Sequence, residues 1–126
     1  MIYRVIAGLI AAVMALTAAG WLLDPATAAQ GLGMNYLDGI GRSSQVGDMT
    51  AFFTFIVVMC VMGAITQTGH YLRSAGLLLI LAAVFRTSAW AFHGAELAST
   101  FIVFEIVMAA LLFFSSAKIG RSDPIL

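Results

Sequence analysis

Four long stretches of the chain are almost entirely apolar, and short polar segments separate them. They cover about residues 4–23, 49–67, 73–92 and 97–117. Each is long enough to cross the roughly 30 Å hydrocarbon core of a bilayer as an α-helix. Apolar and polar residues do not alternate along them, as they would in the strands of a membrane barrel. The pattern predicts an all-α fold, a transmembrane four-helix bundle that forms one domain.

The composition agrees with a membrane protein. Hydrophobic residues make up 62% of the 126 positions and charged residues 10%, whereas a soluble domain has about 25% charged residues. The formal net charge is zero and no basic cluster occurs, so we expect no nucleic-acid partner. The expected partners are membrane lipid and either other membrane protein subunits or further copies of this chain. Cys60 is the single cysteine, which excludes an internal disulfide.

The first apolar stretch can also be interpreted as a secretory signal. Arg4 precedes an alanine-rich run, and Ala26-Thr27-Ala28 would suit a cleavage site. The run is long enough to span a membrane, however, and this length favours a retained helix. We therefore expect the first span to be part of the folded protein.

Residues 24–48 are predicted to form a loop outside the membrane. Asp24 and Pro25 favour a short helix over residues 25–30, because aspartate caps helices well and proline suits the first helical position. Five glycines between positions 31 and 47 favour an irregular connection after it. Ser43, Ser44 and Asp48 are the candidate caps of the second span.

Basic residues outside the apolar stretches predict the orientation of the bundle. Four spans would place both termini and the second turn on one side, which carries Arg4, Arg73, Lys118 and Arg121. The other side carries only Arg42, together with four acidic residues. The positive-inside rule then predicts cytoplasmic termini and places loop 24–48 on the outer side of the membrane, which is the periplasm if the protein is bacterial.

Three short features occur together in this chain. They are Leu22-Leu23-Asp24-Pro25-Ala26 after the first span, Arg86 in the third span and Glu105 in the fourth. With these features the chain resembles a bacterial family of small four-span integral membrane proteins, known only as a domain of unknown function. Family members often have a glycine pair at the start of the second span, where this chain has only Gly47 before Asp48. The resemblance covers most of the chain and implies a four-helix membrane bundle, but no activity.

Arg86 and Glu105 interrupt the last two apolar stretches with opposite charges. Arg86 comes seven residues before His93 and Glu105 nine residues after Glu96, so they lie roughly 10 and 13 Å below the turn between the spans. We therefore expect them to meet on antiparallel neighbours. A charge costs about 2.5–3.5 kcal/mol at the centre of a membrane helix, so the third span is expected to insert as a hairpin with the fourth.

Three interpretations of this pair are open. In the first, it is a buried ion pair that fixes the register of two helices. In the second, it belongs to a ligand-binding or proton-relaying site, joined by Trp90 and His93 on the same helical face as Arg86 and by Asp48 at the outer start of span two. In the third, Arg86 reaches outward and a protonated Glu105 faces a partner protein.

Patterns that indicate other chemistry do not occur in the sequence. His70 and His93 are predicted at opposite ends of the bundle, so they cannot share a haem iron or another metal within one chain. No Ser-His-Asp set, phosphate-binding glycine loop or zinc-ligand spacing is present. The methionines lie in apolar helices, where packing is their usual role. We expect no catalytic residue, no metal and no cofactor.

The sequence favours a non-enzymatic accessory, scaffold or assembly subunit of a larger membrane complex. The segments outside the membrane are short or rich in glycine, and none carries a complete catalytic set. Two alternatives use Arg86 and Glu105. One is a proton-coupled or small-molecule carrier, and the other is a ligand- or lipid-binding protein, or a membrane enzyme, at the outer leaflet.

Overall fold

The computed structural model describes residues 1–120, and this part of the chain forms five helices. Four of them are long and apolar enough to cross a membrane. The protein is therefore an all-α, multi-pass integral membrane protein, as predicted. Arg121, one of the residues used to predict the orientation, lies outside the described residues. The helices are α1 (Ile2–Leu23), α2 (Pro25–Gly31), α3 (Gly39–Thr66), α4 (Gly69–Phe92) and α5 (Ser99–Lys118).

The four spans pack as two helix pairs that close into a bundle. Helix α1 packs mainly against α3, and α4 mainly against α5, while smaller contacts join α3 to α4 and α1 to α5. Many large apolar side chains remain on the outer surface, as expected for a bundle whose solvent is lipid. The core cluster between the spans consists of small and medium-sized apolar side chains, and Trp21 of α1 is also fully buried. Members of the cluster include Ala7, Met14, Ile56, Cys60, Leu72, Leu79, Ala109 and Leu112.

One end of the bundle carries the basic helix termini. The Nε atom of Arg4 donates a hydrogen bond of 2.8 Å to the carbonyl oxygen of Ala64, so the start of α1 lies beside the end of α3. The start of α4 lies beside the end of α5, because Gly69 faces the backbone of Ser116 too closely for a Cβ atom. We call this end the basic end. Its exposed cations are those of Arg4, Arg73 and Lys118.

The opposite end is acidic, and we call it the acidic end. Asp24 follows α1, Asp38 precedes α3 and Glu96 lies between α4 and α5. The single basic residue that accompanies them in residues 1–120 is Arg42, which pairs with Asp38 at 3.1 Å. The charge difference between the two ends that the sequence predicts is therefore present in the structure. The cytoplasmic location of the basic end stays a prediction.

Helix α3 begins about ten residues earlier than the sequence predicted. Residues 39–48, assigned above to the loop, are helical despite their glycines. Arg42 explains much of this start. Its Nε atom donates to the Leu37 carbonyl oxygen at 2.8 Å, its Nη2 atom to Asp38 at 3.1 Å, and its guanidinium group lies 4.1 Å from the centre of the Tyr36 ring. These contacts offset the low helix propensity of glycine.

Gln45 ties the remaining loop to α3. Its side chain is buried, its Oε1 atom accepts a 3.0 Å hydrogen bond from the Leu37 amide, and its Nε2 atom donates at 2.9 Å to the Asn35 carbonyl. A glutamine whose amide oxygen and nitrogen are both bonded fixes the incoming chain to a point almost two turns inside the helix. The prediction that Ser43, Ser44 and Asp48 cap the second span is therefore wrong, since all three lie within α3.

The short helix predicted after the first span is confirmed as α2. Pro25 occupies its first position, and the Asp24 side chain accepts a hydrogen bond of 3.5 Å from the Thr27 amide. Helix α2 packs against α1. This folding-back brings Leu32, just after α2, to the cavity described below.

Candidate functional site: an ion pair on the wall of an apolar cavity

Arg86 and Glu105 meet at equal depth between α4 and α5. Arg86 lies six residues before the end of α4 and Glu105 six residues after the start of α5, so each is about 9 Å from the acidic end of its helix. The Nε atom of Arg86 donates to both carboxylate oxygens of Glu105, at 3.0 and 3.2 Å. The Glu105 side chain is 9% exposed and that of Arg86 is 31% exposed. The predicted pairing of the two charges is confirmed.

The pair uses only part of the guanidinium group. Both Glu105 oxygens share one N–H of Arg86, and within residues 1–120 neither Nη1 nor Nη2 makes a hydrogen bond. A guanidinium group has five N–H donors, so the four on the Nη atoms are not used by this part of the chain. Glu105 therefore neutralises and orients Arg86 without occupying its terminal nitrogens.

The ring of Phe101 packs against the same guanidinium group. Its ring centre lies 4.9 Å from Cζ of Arg86, within the range of a cation–π contact. Phe101 precedes Glu105 by four residues, one helical turn, so both side chains project from the same face of α5. One face of α5 thus supplies the counter-ion and the aromatic surface that hold Arg86.

A cavity of about 290 Å³ lies beside the ion pair, between the helices. All four spans contribute to its wall, and the wall is almost entirely apolar. Apart from the ion pair, the one polar side chain among these wall residues is that of Thr17, whose hydroxyl donates a hydrogen bond of 3.1 Å to the Val13 carbonyl oxygen. Among the lining residues, Arg86 is therefore the group with donors left to offer. Typical apolar wall residues are Met14, Phe52, Phe53, Leu79, Phe104 and Met108.

The other three predicted site residues do not line this cavity. Trp90 is half exposed one turn beyond Arg86, and His93 lies exposed at the end of α4. Asp48 is exposed on α3. The structure therefore brings Arg86 and Glu105 together and leaves Trp90, His93 and Asp48 outside the cavity. Within the described residues no group of histidine, cysteine or carboxylate side chains is arranged to hold a metal ion.

Sequence reasoning missed the apolar wall of the cavity. Met14, Phe52 and Phe53 have nothing in the sequence that separates them from other lipid-facing or core residues, because a uniformly apolar helix gives no sign of which side faces inward. Phe101 could have been recognised, since an aromatic residue one turn from a buried carboxylate is well placed to contact its partner arginine.

Comparison with known proteins adds no identity to this geometry. Comparison of the chain with protein-family models, with curated proteins and with solved structures gave no match. The resemblance to a four-span family of unknown function therefore stays a prediction.

Proposed function

We propose that this protein binds a small, largely apolar molecule inside its helix bundle and recognises it through the free N–H groups of Arg86. The bundle would lie in a bacterial inner membrane with its basic end in the cytoplasm. The observation that carries the proposal is the position of Arg86. Its guanidinium group is neutralised by Glu105, lies on the wall of an apolar cavity and keeps its Nη atoms unbonded within residues 1–120.

The chemistry of the pair favours a neutral ligand with a hydrogen-bond acceptor, such as a carbonyl oxygen. Arg86 and Glu105 together carry no net charge. An anion beside Arg86 would also lie near the Glu105 carboxylate, so its repulsion from the carboxylate would largely cancel its attraction to the guanidinium group and leave the cost of its desolvation uncompensated. A neutral acceptor obtains the hydrogen bonds of the guanidinium group without that repulsion.

The size and depth of the cavity limit the ligand further. A volume of about 290 Å³ is just below the usual range of roughly 300–1,000 Å³ for ligand pockets. This suits a molecule of one or two small rings. The ion pair also lies about 9 Å inside the helix ends, too deep for the headgroup of a lipid that stays in its leaflet.

Photolabelling with benzophenone tests the proposal in the full-length protein in detergent. Benzophenone is a neutral diaryl ketone, its carbonyl oxygen accepts hydrogen bonds, and near-ultraviolet light couples it to nearby C–H bonds. We expect saturable labelling of Met14 and Met108, which line the cavity, as mapped by mass spectrometry of peptides. Its carboxylated analogue 4-benzoylbenzoate should label these residues at least tenfold less, because it carries an anion.

A matched pair of variants gives the control. Arg86→Met/Glu105→Met removes both charges and every side-chain hydrogen-bond donor of the pair, and it should abolish the saturable labelling while leaving no unpaired charge. Arg73→Met changes an exposed arginine on the same helix and should label like the natural protein. Equal labelling of the natural protein and the double variant, spread over lipid-facing residues, would refute the proposal.

The accessory-subunit function favoured by the sequence stays a prediction. The apolar outer surface of the bundle suits lipid and a partner helix equally well, so it does not favour one over the other.

A further inference from the structure

A second cavity of about 320 Å³ opens at the basic end of the bundle. In contrast to the first cavity, its wall combines polar and apolar atoms in similar measure. It lies where α1 begins, the α3–α4 turn passes and α5 ends, which is the level of the lipid headgroups if the helices span a membrane. Its wall includes Tyr3, Arg4, Gln67, Lys118 and Gly120.

Two cationic side chains line this cavity, and both have hydrogen-bond donors that residues 1–120 do not use. The Nε atom of Arg4 is fixed by its hydrogen bond to the Ala64 carbonyl, while its Nη atoms make no hydrogen bond within residues 1–120. The Lys118 amine also makes none there, and it lies 5.8 Å from the centre of the Phe114 ring. Arg4 is therefore oriented in the same way as Arg86, through Nε alone, but by a neutral carbonyl.

The described carboxylates lie elsewhere in the molecule. Asp24, Asp38 and Glu96 are at the acidic end, and Asp48 and Glu105 lie at least thirteen residues, or roughly 20 Å, from the basic ends of their helices. Within residues 1–120 the positive charge of the basic end is thus not neutralised by a side chain. Charge of this kind at a membrane surface attracts anionic headgroups.

Gln67 carries a neutral hydrogen-bond donor, and its backbone has an unfavourable conformation. It ends α3 with a φ of 52°, the left-handed conformation in which helices usually place glycine. A residue with a Cβ atom is disfavoured there, and constrained residues of this kind concentrate at binding sites. Gln67 lines the same cavity as Arg4 and Lys118, and its side-chain amide is a hydrogen-bond donor.

We propose that this cavity binds the phosphate group of an anionic phospholipid, with Arg4, Gln67 and Lys118 as its donors. Guanidinium groups bind phosphate oxygens through paired N–H donors, and an ammonium group adds a point charge. Exposed Ile2, Val5 and Phe114 next to the cavity provide an apolar surface for the acyl chains. Phosphatidylglycerol has the required chemistry, because its phosphate is not neutralised by a choline or an amine.

Lipid titration by native mass spectrometry tests the site in the full-length protein in dodecyl maltoside. We expect phosphatidylglycerol to bind at least fivefold more tightly than phosphatidylcholine with the same acyl chains. Lys118→Gln should weaken phosphatidylglycerol binding about fivefold, the effect of one cation near an anionic membrane surface. Arg73→Gln, an exposed change at the same end but outside the cavity, should leave the affinity within twofold.

Gln67→Gly separates binding from stability. Glycine suits the left-handed position, so the melting temperature should be unchanged or higher, while loss of the amide should weaken phosphatidylglycerol binding about threefold. Equal affinities for the two lipids, or equal losses in Lys118→Gln and Arg73→Gln, would overturn the proposal. So would full occupancy of the site by inorganic phosphate alone, since the ligand would then be free phosphate.

Discussion

Two arginines of this protein are held in the same way in opposite surroundings. Arg86 and Arg4 both use Nε for their hydrogen bonds and leave Nη1 and Nη2 unbonded within residues 1–120. Arg86 lies inside the bundle against a carboxylate, whereas Arg4 lies at a helix end against a backbone carbonyl. The cost of an unpaired charge explains the difference, because it is large in hydrocarbon and small at the headgroup level. The deep arginine therefore needs a counter-ion in the chain, and the surface arginine can use one from the membrane.

The largest expected effect is that of removing one member of the deep pair. Arg86→Met leaves the Glu105 charge uncompensated within the membrane, and we expect a loss of about 3 kcal/mol in the free energy of unfolding. Arg4→Met removes one hydrogen bond at the surface and should cost about 1 kcal/mol. Titration with sodium dodecyl sulfate in mixed micelles, followed by circular dichroism, measures both values. Equal losses would contradict the contrast between the two arginines.

Exchanging the two charges tests the hairpin formed by α4 and α5. Arg86→Glu/Glu105→Arg restores an ion pair at the same depth and should recover more than half of the membrane-inserted protein lost in either single variant. Recovery will be incomplete, since the ring of Phe101 then lies beneath the wrong charge. Glycosylation mapping of the inserted fraction provides the measurement. If the double variant inserts no better than the worse single variant, the two charges do not cooperate in insertion.

At its basic end the same helix pair depends on a close backbone approach instead of a charge pair. A Cβ atom at Gly69 would collide with the backbone of Ser116, so Gly69→Ala should lower the free energy of unfolding by about 2 kcal/mol. Gly8→Ala is the matched control, because a Cβ atom there meets nothing within 4 Å and alanine favours helix. It should raise stability by up to about 1 kcal/mol in the same titration. A loss at both positions would show that crowding at Gly69 is not the cause.

Removal of the aromatic ring beside Arg86 is expected to have a smaller effect. Phe101→Leu keeps an apolar side chain but removes the cation–π contact, which should cost about 0.5–1 kcal/mol in the free energy of unfolding. Benzophenone labelling should shift away from Met108 if the guanidinium group loses its orientation. A loss above about 3 kcal/mol would instead indicate a packing role for the ring.

The smallest effects are expected at the residues left outside the first cavity. His93→Ala and Asp48→Ala change exposed side chains without hydrogen-bond partners in residues 1–120, so stability should change by less than about 0.5 kcal/mol. Benzophenone labelling should also be unchanged in both variants. Loss of labelling in either one would restore the wider site predicted from the sequence.

The features that followed from the sequence are those with a strong local signal. Four apolar stretches predict four spans, and the equal depths of Arg86 and Glu105 predict their meeting, because helix rise per residue is nearly constant. Asp24 and Pro25 predict α2 for the same kind of reason. These inferences need only the geometry of single helices and one turn.

The features that did not follow depend on contacts between segments. The early start of α3 requires Arg42 and Gln45 to bond backbone groups of the preceding loop, which outweighs the local signal of three glycines. The cavity depends on which side of each helix faces inward, and uniformly apolar helices do not encode that in a readable period. The left-handed conformation of Gln67 could not be predicted either, because the residues around it are also compatible with an ordinary turn.

The enclosed position of Cys60 has a practical consequence. It is the single thiol of the chain and is 0% exposed in the core of the bundle. Maleimide reagents should therefore leave the folded protein unmodified and react with it only when α3 separates from its neighbours. The unmodified natural protein thus carries its own chemical reporter of bundle opening, and new surface cysteines can be labelled selectively without first removing the native one.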